Sequence, residues 1–119
     1  MSDTYEFGYR LPRFRANFHF LLQTEGPQSH LANAQCLDIS EEGIAAQTSE
    51  KLDVGTAVTL ILTLPGTAST LRIPARVVTQ QEEDHGFAFM FPSGMERDEI
   101  QRYVASLHAG PVRLTQRPG

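Results

Sequence analysis

From Phe14 onward, apolar and polar residues alternate. Phe14, Ala16, Phe18, Phe20 and Leu22 fall on one phase, with Arg13, Arg15, Asn17, His19 and Leu21 on the other. Period-two alternation predicts a half-buried strand from Phe14 to Leu22. It also places Arg13 and Arg15 on one outward face, opposite the phenylalanines. Pro12 favours an extended approach to that strand, because a proline pushes the residue before it toward β or polyproline geometry. Glu25-Gly26-Pro27-Gln28-Ser29 carries turn residues, so the chain is expected to fold back there. Leu31 to Ile39 reads as the returning strand, with Ala32, Ala34 and Cys36 on one face. In such a hairpin Asp38 arrives beside the start of the first strand.

The remainder continues in short β-prone runs. Ile44 to Thr48 reads as a strand, Leu52-Asp53-Val54-Gly55 as a turn, and Thr56 to Leu64 as a strand rich in Val, Ile, Leu and Thr. Pro65-Gly66 opens a loop. Leu71, Ile73, Ala75 and Val77 then alternate with Arg72, Pro74, Arg76 and Val78, and Pro74 in that run predicts an edge position or a bulge. Gln80 to Asp84 reads as a polar, acidic loop, and Gly86 to Phe91 as a last strand with Phe87, Phe89 and Phe91 on one face. From Met95 to Ala109 the period changes: Ile100, Tyr103, Val104 and Leu107 have helical spacing, and Glu96, Asp98 and Glu99 suit the positive end of a helix dipole. Gly110-Pro111 is expected to stop that helix. The fold expected is mainly β, a small antiparallel barrel of six to seven strands capped by one C-terminal helix. Residues 1–8 read as a flexible leader, 9–110 as the domain and 111–119 as a flexible tail, with no second domain, repeat or low-complexity segment.

Composition narrows the function. A chain of 119 residues with a 40% hydrophobic share suits one soluble domain with a small core. No apolar run reaches the length of a membrane span and the first residues are unlike a signal peptide, so no membrane insertion is expected. The single Cys36 cannot form an internal disulfide, and a cytoplasmic setting is the default. A net charge of −4 argues against DNA or RNA as partner, which a broad cationic surface would serve. It leaves room for a small anion, because there only the local field matters.

Catalysis has no constellation behind it. Cys36 lies on an apolar strand phase, where a buried, inert thiol is the simpler reading than a pair with His19 or His30. The histidines have no metal-ligand spacing, and no metal or cofactor is expected. Glu41-Glu42 and Glu82-Glu83-Asp84 read as solvated loop charges, and the phenylalanine stripes as core.

The candidate chemistry lies in two stretches. Tyr9-Arg10-Leu11-Pro12-Arg13-Phe14-Arg15 sets three guanidinium groups and a ring at the entrance to the first strand. Asp38-Ile39-Ser40-Glu41-Glu42-Gly43 follows the hairpin. Together they offer what a guanine nucleotide needs. Asp38 can accept from the N1–H and N2–H edge, and Ser40 is a short donor or acceptor. Gly43, without a Cβ, can take positive φ or let a ligand approach the backbone. The arginines can pair bidentately with guanine O6/N7 or with phosphate and can stack on a purine.

These residues resemble the PilZ domain family, whose typical ligand is cyclic di-GMP and whose architecture is a small barrel with a helix. Asp38, Ser40 and Gly43 fit the family's (Asp/Asn)-x-Ser-x-x-Gly element position by position. The preceding Arg-x-x-x-Arg element is altered: with Arg13 in its second position, the first falls on Tyr9, and with Arg10 in the first, the second falls on Phe14. The Tyr9/Arg13 alignment is preferred, since Pro-Arg-aromatic leads into the strand. The resemblance implies a cyclic di-GMP receptor in bacterial second-messenger signalling that passes a change to an effector protein. Its ligand residues would be Arg10, Arg13, Asp38, Ser40 and Gly43, with Tyr9, Arg15 and Arg76 as secondary contacts. The alternative is an adaptor that has lost nucleotide binding and acts by protein contacts in motility or pilus machinery.

Overall fold

Closure of the sheet depends on one strand that is paired along both sides. The computed structural model describes residues 12–116, with side chains through His108. Its elements are β1 (Phe14–Arg15), β2 (His19–Thr24), β3 (Leu31–Ile39), β4 (Gly43–Gln47), β5 (Ala57–Thr63), β6 (Thr70–Gln81), β7 (Asp84–Phe89) and α1 (Gly94–Gln116). The order is β1-β3-β2-β5-β6-β7-β4, and β4 pairs again with β3. The result is a closed six-stranded antiparallel barrel, with β1 as an extra strand beside β3. Closure leaves the six barrel strands without a free edge.

The core is the inward phase of each strand. Leu22, Leu60, Leu62, Ile73 and Val77 are fully buried, as are Ile39, Ile44 and Phe87. Each such side chain contributes about 1.5–3 kcal/mol on leaving water. Ile100 and Val104 of α1 are buried in the same cluster, while Tyr103 and Leu107 pack partly against it. The helix therefore packs onto the barrel core with the stripe its spacing predicts, its Tyr103 ring meeting Phe18 edge-on. Ser93 caps it, accepting from the N–H of Met95 and donating to the Glu96 carboxylate.

Four expectations are corrected. The first strand is not continuous: it is split into β1 and β2. Between the pairs Arg15↔Asp38 and His19↔Gln35, residues 16–18 stand against only Cys36 and Leu37, so the ladder is interrupted. The inward phase survives, since Phe18, Phe20 and Leu22 are all buried. Pro74 is on a central strand, paired with Thr59 of β5. Its carbonyl accepts from Met90, just past the end of β7, so its missing N–H falls where the β7 ladder has stopped. The bulge in β6 lies instead between Val77 and Thr79. Gln80 to Asp84 is mostly strand, with Gln81 paired to Asp84 around the two-residue link Glu82-Glu83. Glu82 takes φ +56°, as tight hairpin links require. Finally, α1 runs to Gln116, past Gly110-Pro111. The residue before this proline is a glycine, which has no Cβ for the ring to crowd.

Candidate functional site

The hairpin turn at residues 25–29, with Gly26 at φ +95°, sends β3 back along β2 and carries Asp38 to β1. A bulge then decides which way Asp38 faces. Cys36 pairs with Ala46 and Asp38 with Ala45, so Leu37 is an extra residue in β3. Strict alternation would put Asp38 on the inward phase of Ala34 and Cys36. The inserted Leu37 resets the phase: Ile39 is buried and Asp38 turns outward.

There Asp38 meets Arg13. Arg13 Nε donates to Asp38 Oδ1 at 2.8 Å, and Nη2 lies 2.7 Å from the same oxygen. Both side chains are partly exposed, 50% for Arg13 and 34% for Asp38. A pair this exposed contributes on the order of 0–1 kcal/mol, so a ligand can open it at little cost. Arg15 is the direct cross-strand neighbour of Asp38 and is exposed. Arg13, Arg15 and Asp38 thus share one patch of the outer wall. Arg76 does not join them. It sits beside Ala88, which is beside Gly43, so β4 and β7 separate its strand from β3. Three strand spacings amount to about 14 Å. Tyr9 and Arg10 lie outside the described residues.

Ser40 and Gly43 have structural work of their own. Ser40 is buried, and its Oγ accepts from the N–H of Glu42 at 3.1 Å and of Gly43 at 3.2 Å. Its own N–H donates to the Gly43 carbonyl at 2.9 Å. The hydroxyl therefore braces the β3–β4 turn from inside. Gly43 does not use positive φ. A Cβ there would lie 2.3 Å from the carbonyl oxygen of Phe87, so the absent side chain is what lets β4 approach β7. The carbonyl of Glu42 accepts from Phe89, tying the turn to the same strand.

A hollow adjoins the patch where the pairing of β1 and β2 along β3 is interrupted. Arg15, Ala16, Asn17, Gln35, Cys36 and Leu37 line a space of about 290 Å³. At its rim Gln35 Nε2 donates to Asn17 Oδ1 at 2.7 Å. Sequence reasoning placed Asn17 on the outward phase but missed this pairing, because the interruption that opens the hollow has no residue signature. Beneath it the Cys36 thiol is pushed up to about 12, first by burial and then by the Asp38 charge. Thiolate chemistry is thereby suppressed. Among the described residues no group of His, Cys, Asp or Glu side chains could hold a metal ion, and no helix is long and apolar enough to cross a membrane.

Known proteins share this architecture. The PilZ domain of CeSA from a cellulose-synthesizing bacterium superposes with a TM-score of 0.67 at 21% identity, over 82% of this chain and 98% of that one. The PilZ domain of YcgR from Escherichia coli, solved with c-di-GMP, gives 0.68 at 16% identity, over 91% and 97%. The inhibitor of motility MotI/DgrA from Bacillus subtilis gives 0.58 at 17% identity, over 91% of this chain and 53% of that one. No curated protein sequence matches the chain. The family model of the PilZ domain matches residues 10–106, which take in Arg10 to Arg15, the Asp38-x-Ser40-x-x-Gly43 element, the whole barrel and the buried turns of the helix. The chain belongs to the PilZ domain family.

Proposed function

We propose that this domain is a receptor for cyclic di-GMP in bacterial second-messenger signalling and passes a ligand-induced change to an effector protein in the cytoplasm. The observation that carries this reading is the convergence of Arg13 and Asp38 across 25 residues, on the outer wall and beside an intact Asp38-x-Ser40-x-x-Gly43 turn. Asp38 reads the guanine N1–H and N2–H edge. Arg13, with Arg10, holds phosphate and the guanine O6/N7 edge. Ser40 and Gly43 serve the site by fixing the turn that carries Asp38. Arg15 is placed to assist, with Tyr9 as an outlying contact, while Arg76 lies too far round the wall to share the patch. The c-di-GMP bound to the YcgR relative supports the same ligand. No residue acts as a catalyst in this reading.

Titration of the purified protein with cyclic di-GMP, with GTP as control, tests it. Selective binding at micromolar ligand or tighter is expected, together with its loss in Arg13→Ala and Asp38→Ala. Wild-type affinity in both variants would overturn the residue assignment.

One feature favours the adaptor reading: in the preferred alignment Tyr9 stands where the family's first arginine belongs. Likeness to a motility inhibitor fits an adaptor in motility machinery. Absence of heat and of any thermal shift at high ligand, with a partner pull-down indifferent to nucleotide, would establish it.

A further inference from the structure

The hollow between β1, β2 and β3 is chemically matched to a purine base. Ala16 and Leu37 give it apolar lining, while Arg15, Asn17 and Gln35 supply the polar groups. The Asn17–Gln35 hydrogen bond uses one amide N–H and one amide oxygen. Whichever way the two amides are turned, one NH2 group and one oxygen remain at the rim. A donor beside an acceptor fits the edge of a nucleobase. Among the described residues the Arg15 side chain makes no ion pair or hydrogen bond, so its guanidinium is available to the same ligand. Arginine pairs with the adjacent acceptors O6 and N7 of guanine, whereas adenine presents a donor at N6.

Size and position restrict the occupant further. A space of about 290 Å³ falls at the bottom of the range for whole small-molecule sites and suits a single base. Leu37, in the lining, precedes Asp38, and Arg15 is the cross-strand neighbour of Asp38. Asn17 is two residues beyond Arg15, about 7 Å along the strand. The hollow is therefore within reach of a ligand whose first guanine is held at Asp38.

We infer that this hollow is the subsite for the second guanine of the cyclic dinucleotide, with Arg15, Asn17 and Gln35 as its specificity residues. The inference rests on the receptor reading and assigns the other half of the ligand. It explains how a site with an altered first arginine element can keep affinity: contacts on the opposite base compensate.

The test compares wild type, Asn17→Ala, Gln35→Ala and Arg15→Ala in calorimetric titrations with cyclic di-GMP and with cyclic GMP–AMP. All three residues sit on the outer wall, and a melting curve taken beside each titration checks the fold. Asn17→Ala and Gln35→Ala are each expected to weaken cyclic di-GMP binding about tenfold, the loss of one hydrogen bond. Arg15→Ala is expected to narrow the preference for cyclic di-GMP over the mixed dinucleotide, a change that a purely structural role would not produce. Unchanged affinity in both Asn17→Ala and Gln35→Ala would overturn the subsite and leave the receptor reading standing. A wild type that binds neither dinucleotide would overturn both.

Discussion

Gly43 of β4 and Phe87 of β7 approach so closely that a Cβ on the glycine would lie 2.3 Å from the Phe87 carbonyl oxygen. Neither partner is a flexible side-chain end, so a larger residue must push the strands apart. Gly43→Ala is expected to cost about 1–3 kcal/mol, as overpacking does. Urea denaturation measures it. An unchanged midpoint would show that β4 has room and that the glycine is kept for another reason.

Ser40 leads to a related expectation. Ser40→Ala removes the buried acceptor shared by the N–H groups of Glu42 and Gly43. Leaving the buried Gly43 N–H without a partner costs about 1–3 kcal/mol. The variant should therefore lose stability, and its cyclic di-GMP affinity should fall only as far as Asp38 is displaced. Full stability with abolished binding would show instead that the hydroxyl touches the ligand.

Cys36 should behave as an inert thiol in the folded state. With its titration pushed up to about 12, it carries almost no thiolate near pH 8. Reaction with a disulfide reagent is expected to be slow in buffer and fast in denaturant. Equal rates in both would contradict the buried placement.

His30 supplies a pH dependence. Its titration is raised above 6.5, first by the Gln28 carbonyl and then by the hydrogen bond and charge of Glu50. The protonated ring donates from Nδ1 to Gln28 and from Nε2 to Glu50. The small stabilisation from this pair is fully present below about pH 6.5 and is lost as pH rises through the raised folded value. NMR titration should find the His30 midpoint above 6.5. Glu50→Gln should lower it only partway, because the Gln28 contact remains. A wild-type midpoint below 6.5 would contradict the contacts.

The barrel was legible because long stretches of strand keep a period-two phase, as in Phe18, Phe20 and Leu22 and in Leu71, Ile73, Ala75 and Val77. The helix was legible from Ile100 and Val104, though not its extent past Gly110-Pro111. What alternation does not encode is a change of phase. The extra Leu37 turns Asp38 outward, and the interruption at residues 16–18 opens the hollow at Asn17 and Gln35. Both are backbone irregularities set by three strands meeting, with no glycine or proline in β3 to announce them. The motif residues were visible, yet Ser40 and Gly43 brace the turn by contacts with Glu42 and Phe87 that no six-residue pattern reveals.

The central claim is that the Arg13–Asp38 patch receives a cyclic dinucleotide. Isothermal titration of the wild-type protein with cyclic di-GMP, against GTP as control, tests it most directly. The account predicts selective binding at micromolar concentration or tighter, abolished by Arg13→Ala and by Asp38→Ala. No heat and no thermal shift at high ligand would contradict it and leave the barrel as a nucleotide-independent adaptor.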